Sequence, residues 1–283
     1  MDRKNKPVAR VSAPVRSMRF DLSPKALDRW NPTIKAAAES DNTISILDII
    51  GEDWWTGEGV TAKRIAAALR SIGDNDVEVV INSPGGDMFE GLAIYNLLRE
   101  HNGHVTIKVL GLAASAASII AMAGDEVQVS RAGFLMIHNA WTFAAGNRHD
   151  FRSYADYLEP FDEAMADIYV AHTGIELATI QTMMDGETWI GGSAAVEKGF
   201  ADSLLASDEI ERGEDRPEAH SARRVENALR ASGMPRSEAK RLISELKAGQ
   251  RDAGGNGERD ATSAEAAKAL QETAALAASL LVR

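Results

Sequence analysis

The sequence predicts an α/β protein: a largely parallel sheet covered by helices, followed by a charged and mostly helical tail. From Thr43 onwards, short runs rich in Val and Ile alternate with longer segments whose apolar residues recur at helical spacing. Repeated crossovers from strand to helix to strand are typical of a parallel sheet. This alternation ends near Leu205, and charged residues become frequent after it.

The apolar pattern and the helix-ending residues give the order of the elements. We expect strands at 44–50, 77–81, 105–111, 126–130 and 134–138. Helices are expected between and after the strands, at 60–73, 88–101, 115–124, 149–172 and 191–199. A short helix near 23–30 comes before them, because Ser23 can cap a helix and Pro24 suits its first turn.

The chain therefore divides into three segments. An N-terminal arm (1–42) is interrupted by prolines, a central domain (43–205) holds the α/β pattern, and a tail (206–283) completes the chain. In the tail, flexible linkers are expected at 207–221 and 250–263, and helices at 222–233, 235–249 and 264–282.

Composition excludes several classes of protein. The 283 residues include no cysteine, which excludes a disulfide framework and a cysteine nucleophile. There is no apolar run long enough to span a membrane, and the basic start lacks the apolar core of a signal peptide, so we expect a cytoplasmic protein without a membrane partner. Residues 21–206 carry 12 Lys and Arg against 27 Asp and Glu. That excess of negative charge argues against a nucleic-acid partner.

Ser115 and His138 are candidates for a nucleophile and its general base. Ser115 stands where an apolar strand enters a helix, so its hydroxyl is expected near helix N-terminal amides, which stabilise negative charge. His138 ends another apolar strand, and histidine is the usual base that activates a serine hydroxyl. Each residue also has a structural interpretation: Ser115 as a helix N-cap, and His138 as a hydrogen-bonded core residue. Ser118, one turn further on, is an alternative nucleophile.

A glycine turn and two carboxylates complete the set of candidates. In the turn NSPGG (82–86), paired glycines allow unusual backbone angles, and the backbone N–H groups of such a turn can stabilise an oxyanion. Asp185 and Glu187 follow both Ser115 and His138 along the chain. Either carboxylate could orient the imidazole as the third member of a triad, or could be a solvent-facing turn residue.

Five segments, in one order and at consistent spacings, resemble the proteolytic subunits of Clp proteases. They are INSPGGDMFEGLAIYNLL, GLAASAASIIAMAG, FLMIHNAW, AHTG and AAVEKGFAD, and the resemblance spans roughly residues 43–205. It implies the Clp/crotonase fold, assembly into a homo-oligomeric ring, and serine peptidase activity on protein substrates. It also implies that neither a metal nor an organic cofactor takes part.

The resemblance gives each candidate residue a role. Ser115 matches the nucleophile and His138 the base, and the backbone amides of Gly86 and Ala116 match the oxyanion hole. Substrate is expected to bind as an extended strand beside Gly85 and Gly86. Glu187 falls where the family usually has its catalytic aspartate, with Asp185 as the reserve.

The tail, the Trp54–Trp55 loop and the Glu-Thr-Trp run at 187–189 resemble a narrower group, the Clp-related head-maturation proteases of tailed phages and prophages. That group implies cleavage of scaffold and capsid proteins inside a prohead, without an unfoldase. The alternative is a proteolytic subunit that works with an ATP-dependent Clp unfoldase. A non-catalytic scaffolding protein on the same fold is a further alternative, and the glutamate at position 187 is its only support.

Overall fold

A computed structural model of the chain describes residues 22–36, 40–52, 59–206, 210–212, 217–231 and 234–253. The basic start of the chain, the Trp54–Trp55 loop and the helix expected at 264–282 lie outside these residues.

A seven-stranded, mostly parallel sheet forms the centre of the protein. Its strands are β2 (Thr43–Ile46), β3 (Val77–Ser83), β4 (Val105–Ala114), β5 (Glu126–Ser130), β6 (Phe134–Ile137), β7 (Thr188–Gly191) and β8 (Ser203–Leu205). Strands β2, β3, β4, β5 and β8 lie side by side and parallel, while β6 pairs parallel with the end of β4 and antiparallel with β7. The predicted α/β class with a largely parallel sheet is confirmed.

Helices and a short two-stranded sheet surround this sheet. The helices within the described residues are α1 (Pro24–Arg29), α2 (Ala62–Ile72), α3 (Met88–Arg99), α4 (Ala116–Ala121), α5 (Arg148–Thr173), α6 (Leu177–Asp185), α7 (Gly192–Glu197), α8 (Pro217–Ala231) and α9 (Arg236–Ala253). The second sheet pairs β1 (Ile34–Ala36) with β9 (Ile210–Arg212) in antiparallel register.

The two faces of β3 show how the sheet is covered. Val79 and Ile81 belong to the main core, together with apolar residues of α2, α3, α4 and α5. Val80 points to the other face, where it packs with Leu110 and with Ile34 of β1. Because both faces are buried, the strand reads as a continuous run of Val and Ile rather than as an alternating pattern.

The structure differs from the sequence-based expectation at several short elements. The strand expected at 44–50 ends at Ile46, and Ile50 forms isolated bridges to Val60 and Gly86. The linker expected at 207–221 contains β9, and it also contains the start of α8 at Pro217, a residue that suits the first turn of a helix. The sequence pattern also missed β1, β7, β8 and α6; strands of three or four residues are too short to show a periodicity.

Asn82, near the end of β3, forms hydrogen bonds with the segment that follows α1. Its side-chain amide donates hydrogen bonds to the carbonyl oxygens of Asn31 and Ile34, and its side-chain oxygen accepts one from the Leu112 N–H. The Trp30 indole N–H donates to the Asn82 carbonyl oxygen at 2.9 Å. These bonds place α1 against the ends of β4 and β6, where the two strands lead to Ser115 and His138.

Helix α8 packs against α1. The Asn227 side chain donates to the Leu22 carbonyl oxygen at 3.3 Å, and Arg224 forms a 3.0 Å ion pair with Asp28. The Arg230 guanidinium lies 4.6 Å from the ring centre of Phe143, in the loop that follows β6. Residues before β2 and after β8 therefore contact each other. Helix α8 also contacts the loop that follows β6 and His138.

Candidate active site

Ser115 connects β4 to α4 with a strained backbone. Its φ is 55° and its ψ is −124°, a conformation that favours glycine and that other residues keep only where the surroundings enforce it. Ser115 occupies the N-cap position of α4, but its side chain makes no capping hydrogen bond. Instead, its Oγ lies 2.7 Å from His138 Nε2, so the cap interpretation does not account for this hydroxyl.

His138 follows the last residue of β6, and pairing between β4 and β6 brings its ring to Ser115. His138 is buried, with 7% of its surface exposed. Burial lowers its pKa from 6.5 to about 4; the Glu187 carboxylate opposes this shift, and the Lys25 cation adds to it. The imidazole is therefore neutral at pH 7, and with its proton on Nδ1 it can accept the Ser115 hydroxyl proton at Nε2.

The glycine turn lies directly against the nucleophile. A Cβ added to Gly85 would come within 2.8 Å of Ser115 Cβ and 3.2 Å of the Ala116 nitrogen. The turn is held by Ile50, whose N–H donates to the Gly85 carbonyl oxygen and whose carbonyl accepts from the Asp87 N–H. These two bonds do not use the Gly86 N–H, and Ala116 is the first residue of α4, where backbone N–H groups have no partner within the helix. The N–H groups of Gly86 and Ala116 therefore remain candidate donors to an oxyanion, as the sequence predicts.

The two candidate acids occupy different surroundings. Asp185 accepts a hydrogen bond from the Asn139 side chain at 2.8 Å, and the structure does not bring it to the His138 ring. Glu187 lies close enough for its charge to raise the pKa of His138. Its Oε1, however, accepts from the Trp189 indole N–H at 3.3 Å and pairs with Lys25 Nζ at 3.2 Å. No hydrogen bond joins either carboxylate to the imidazole in the part of the chain that the structure describes.

Backbone strain marks the same positions. Among the described residues, Ser115 and Glu187 are the two that are not glycine and have a positive φ, at 55° and 47°. Such strained residues cluster at functional sites. Ser118 has an ordinary helical conformation and is fully buried, with its hydroxyl bonded to the Ser115 carbonyl oxygen at 2.6 Å, so it is closed to substrate.

Lys25 is the residue near this site that the sequence did not indicate. The sequence pattern predicts α1, but nothing in the pattern indicates that a lysine of the N-terminal arm lowers the pKa of His138. Only the packing of α1 on the ends of β4 and β6 brings the two together.

A family model described as Clp protease matches residues 56–208, more than half of the 283-residue chain. The chain belongs to the Clp protease family. The matched region contains Ser115, His138 and Glu187, and it leaves out α1, α8 and α9. The mostly parallel sheet fits the Clp/crotonase fold that the sequence motifs predict.

Proteolytic subunits of Clp proteases are among the curated relatives. ATP-dependent Clp protease proteolytic subunit 1 of Prochlorococcus marinus is 32% identical over 151 residues, which cover 51% of this chain and 77% of that protein. The proteolytic subunit of Deinococcus radiodurans is 28% identical over 145 residues, covering 50% of this chain and 70% of that protein. Proteolytic subunit 1 of Streptomyces coelicolor is 30% identical over 151 residues, covering 52% and 69%. In the described part of this Clp protease family member, no helix is long and apolar enough to cross a membrane.

The low pKa of His138, the candidate base, predicts for this Clp protease family member a pH dependence of activity that differs from the one expected with an exposed histidine as the base. A base must be neutral, so kcat/KM should fall as the pH decreases through the folded-state pKa of about 4, rather than through 6.5. Because the unfolded chain takes up this proton between those two values and the folded chain does not, stability should also decrease as the pH falls through that window. A pH profile of fluorogenic-peptide cleavage, with parallel denaturant unfolding, measures both effects.

Lys25 provides a matched pair of variants for the same measurement. Lys25→Met removes a cation that lowers the pKa of His138, so the acidic limb of the kcat/KM profile should move to higher pH. Lys63→Met changes an exposed lysine on α2 and should leave the limb in place. An acidic limb near pH 6.5 in the wild type, or one that both substitutions move equally, would contradict the prediction.

Proposed function

We propose that this chain is a serine endopeptidase in which Ser115 is the nucleophile and His138 is its general base. The observation that carries the proposal is the 2.7 Å contact between Ser115 Oγ and His138 Nε2, made by a half-buried serine whose backbone is strained and whose hydroxyl caps no helix. Membership of a peptidase family supports the same reaction class.

In the proposed mechanism, Ser115 Oγ attacks a peptide carbonyl carbon while His138 Nε2 takes the hydroxyl proton. The N–H groups of Gly86 and Ala116 stabilise the oxyanion of the tetrahedral intermediate. His138 then donates its proton to the leaving amine, which leaves an acyl-enzyme on Ser115. A water molecule attacks this ester with His138 again as the base, and the acid product leaves. These steps use only groups of the chain and water.

Active-site labelling tests the proposal. A fluorophosphonate probe should label the assembled wild-type protein at Ser115, because phosphonylation needs an activated serine hydroxyl. Ser115→Ala should abolish both labelling and peptide cleavage, whereas Ser71→Ala, at an exposed position of α2, should change neither. A folded wild type that is neither labelled nor active would favour the non-catalytic scaffolding alternative.

Glu187 is the proposed acid, with Asp185 as the reserve. Glu187→Gln removes a negative charge that favours protonated His138, so kcat should fall about tenfold. Asp185→Asn changes a carboxylate that faces Asn139 instead and should reduce kcat by no more than about twofold. Steady-state kinetics of the two isosteric variants decide between the residues, since the opposite ranking would make Asp185 the acid.

The biological setting has two candidates, both soluble and cytoplasmic and both homo-oligomeric. The names of the relatives favour a proteolytic subunit that works with an ATP-dependent Clp ATPase. The helices α8 and α9 lie beyond the family match, which ends at residue 208, and α8 packs on α1; this addition favours a specialised enzyme such as a phage or prophage head-maturation protease that cleaves scaffold and capsid proteins.

Casein degradation with and without a Clp ATPase separates the two settings, after gel filtration has established the oligomeric state. Stimulation that requires ATP would support the Clp subunit and contradict the head-maturation protease. Cleavage of a capsid precursor without any ATPase would give the opposite result.

A further inference from the structure

Two buried hydroxyl groups, those of Ser118 and Tyr169, form a hydrogen-bonded series that ends at the backbone carbonyl of the nucleophile. Ser118 Oγ donates to the Ser115 carbonyl oxygen at 2.6 Å and lies 2.8 Å from the Tyr169 hydroxyl. Both side chains are essentially inaccessible, with Ser118 at 0% and Tyr169 at 1% exposure. Ser118 has a single hydroxyl proton and gives it to the carbonyl, so Tyr169 must donate to Ser118. The order of donors and acceptors is therefore fixed: Tyr169 donates to Ser118, and Ser118 donates to the Ser115 carbonyl oxygen.

The Tyr169 hydroxyl is a permanent donor in this arrangement. Burial raises its pKa above the ordinary value for tyrosine, so it stays protonated throughout the working pH range. Its ring is held against Phe200, with 6.1 Å between the ring centres. Thr173, one turn further along α5, bonds back to the Tyr169 carbonyl oxygen at 2.7 Å. The first donor of the series is thus fixed in position by the core.

The last acceptor in this series of hydrogen bonds is the Ser115 carbonyl oxygen. It belongs to the same peptide group as the Ala116 N–H, which is the proposed oxyanion donor. In a trans peptide the C=O and N–H point in opposite directions, and the carbonyl of Ser115 shares its peptide plane with the N–H of Ala116. The Ser115 carbonyl accepts from three donors on the helix side: Ser118 Oγ at 2.6 Å, Ser118 N at 2.9 Å and Ile119 N at 3.3 Å. Holding this oxygen towards the helix therefore holds the Ala116 N–H in the opposite direction, away from the helix.

The strained backbone of Ser115 makes such a restraint necessary. A residue other than glycine at φ 55° and ψ −124° relaxes unless its surroundings determine both of its peptide groups. On the N-terminal side, the Ser115 N–H donates to the Met136 carbonyl oxygen at 2.9 Å. On the C-terminal side, the side-chain restraint comes from Ser118 and, through it, from Tyr169.

We propose that Ser118 and Tyr169 are positioning residues that aim the Ala116 N–H of the oxyanion hole. This inference rests on the proposed function, because it gives the two hydroxyls a role in the reaction of Ser115. It also makes α5, which carries Tyr169, a part of the machinery that sets the geometry of the nucleophile.

Tyr169→Phe tests the proposal with the loss of one oxygen atom. The ring keeps its packing, but Ser118 loses its donor and can turn away from the Ser115 carbonyl. An oxyanion donor acts in the transition state, so kcat should fall about tenfold or more while KM stays within about twofold. Tyr157→Phe, which removes a hydroxyl from a partly exposed tyrosine on the same helix, should have wild-type kinetics. Ser118→Ala should reduce kcat by at least the same factor as Tyr169→Phe. The double variant should reduce kcat no further than Ser118→Ala alone, because both residues act through the same hydrogen bond.

A transition-state analogue separates positioning from a merely structural role. A peptide aldehyde forms a tetrahedral adduct with an oxyanion, so its inhibition constant should rise by the same factor as kcat/KM falls across the variants. The acidic limb of the pH profile should not move, because His138 is unchanged. Unaltered aldehyde affinity, a loss expressed only in KM, or wild-type kcat in both Tyr169→Phe and Ser118→Ala would overturn the proposal.

Fluorophosphonate labelling of the same samples keeps this inference distinct from the proposed function. Labelling at Ser115 in the wild type together with full activity in Tyr169→Phe and Ser118→Ala would reject the positioning role and leave the serine peptidase intact. An absence of labelling in the assembled wild type would reject both.

Discussion

Replacing His138 by alanine should lower kcat on the order of 10⁵-fold, since a serine hydroxyl without its base is a poor nucleophile and members of a triad act as a unit. The 2.7 Å contact between His138 Nε2 and Ser115 Oγ is the only route for the hydroxyl proton that the described residues provide. Activity that remains should come from substrate binding and from the backbone amides of Gly86 and Ala116. The loss should therefore appear in kcat, with KM nearly unchanged.

Two controls make this result specific to the base. His104→Ala changes a partly exposed histidine near Asp125 and should retain full activity. His138→Gln keeps much of the side-chain volume and a hydrogen-bonding group, so it should fold like the wild type and yet be as inactive as the alanine variant. Cleavage of a fluorogenic peptide gives the rates, and circular dichroism reports the fold. A His138→Gln variant within tenfold of wild-type kcat would show that another group takes the proton.

How far the sequence predicts this site depends on whether the relevant signal is local. The strand Glu126–Ser130 coincides with the predicted segment at 126–130, because its Val residues and its flanking turns are adjacent in the chain. The strand before Ser115 was also expected, although it extends to Ala114 rather than ending at 111. The close approach of Ser115 to His138 follows from the pairing of β4 with β6, which no local pattern encodes. The order of the five family motifs was needed to indicate it.

The acid shows the opposite case, in which a predicted position in the sequence leaves the geometry of the side chain open. Motif spacing places Glu187 where the family usually has an aspartate, but it cannot indicate that Lys25 and Trp189 bind the same carboxylate oxygen. Both contacts depend on α1 and β7, and the second of these elements was missed because four residues are too few for a periodic signal. The electrostatic environment of His138 could therefore be derived only from the folded chain.

Gly85→Ala should reduce kcat/KM about 100-fold or more. This expectation uses both the local sequence signal and the contacts of the folded chain. The sequence indicates the paired glycines, and the structure explains why the first of them must lack a side chain. A Cβ at Gly85 would lie 2.6 Å from the Ala114 carbonyl oxygen and 2.8 Å from Ser115 Cβ. Both atoms belong to the backbone or its first carbon, so relief requires moving the nucleophile itself. A displacement of about 1 Å at the reacting atom can cost two orders of magnitude in rate.

Gly73→Ala is the matched control, because it separates backbone strain from steric contact. Gly73 ends α2 with φ +72°, and Gly85 also has a positive φ of +89°, so alanine is strained at both positions, at a cost of about 1–3 kcal/mol. A Cβ at Gly73 has no atom within 4 Å, whereas the Cβ at Gly85 meets Ser115. Gly73→Ala should therefore lower the unfolding midpoint and keep full kcat/KM. Gly85→Ala should lower both the unfolding midpoint and kcat/KM. Equal activity in the two variants, each normalised to its folded fraction, would mean that the turn does not fix the position of Ser115.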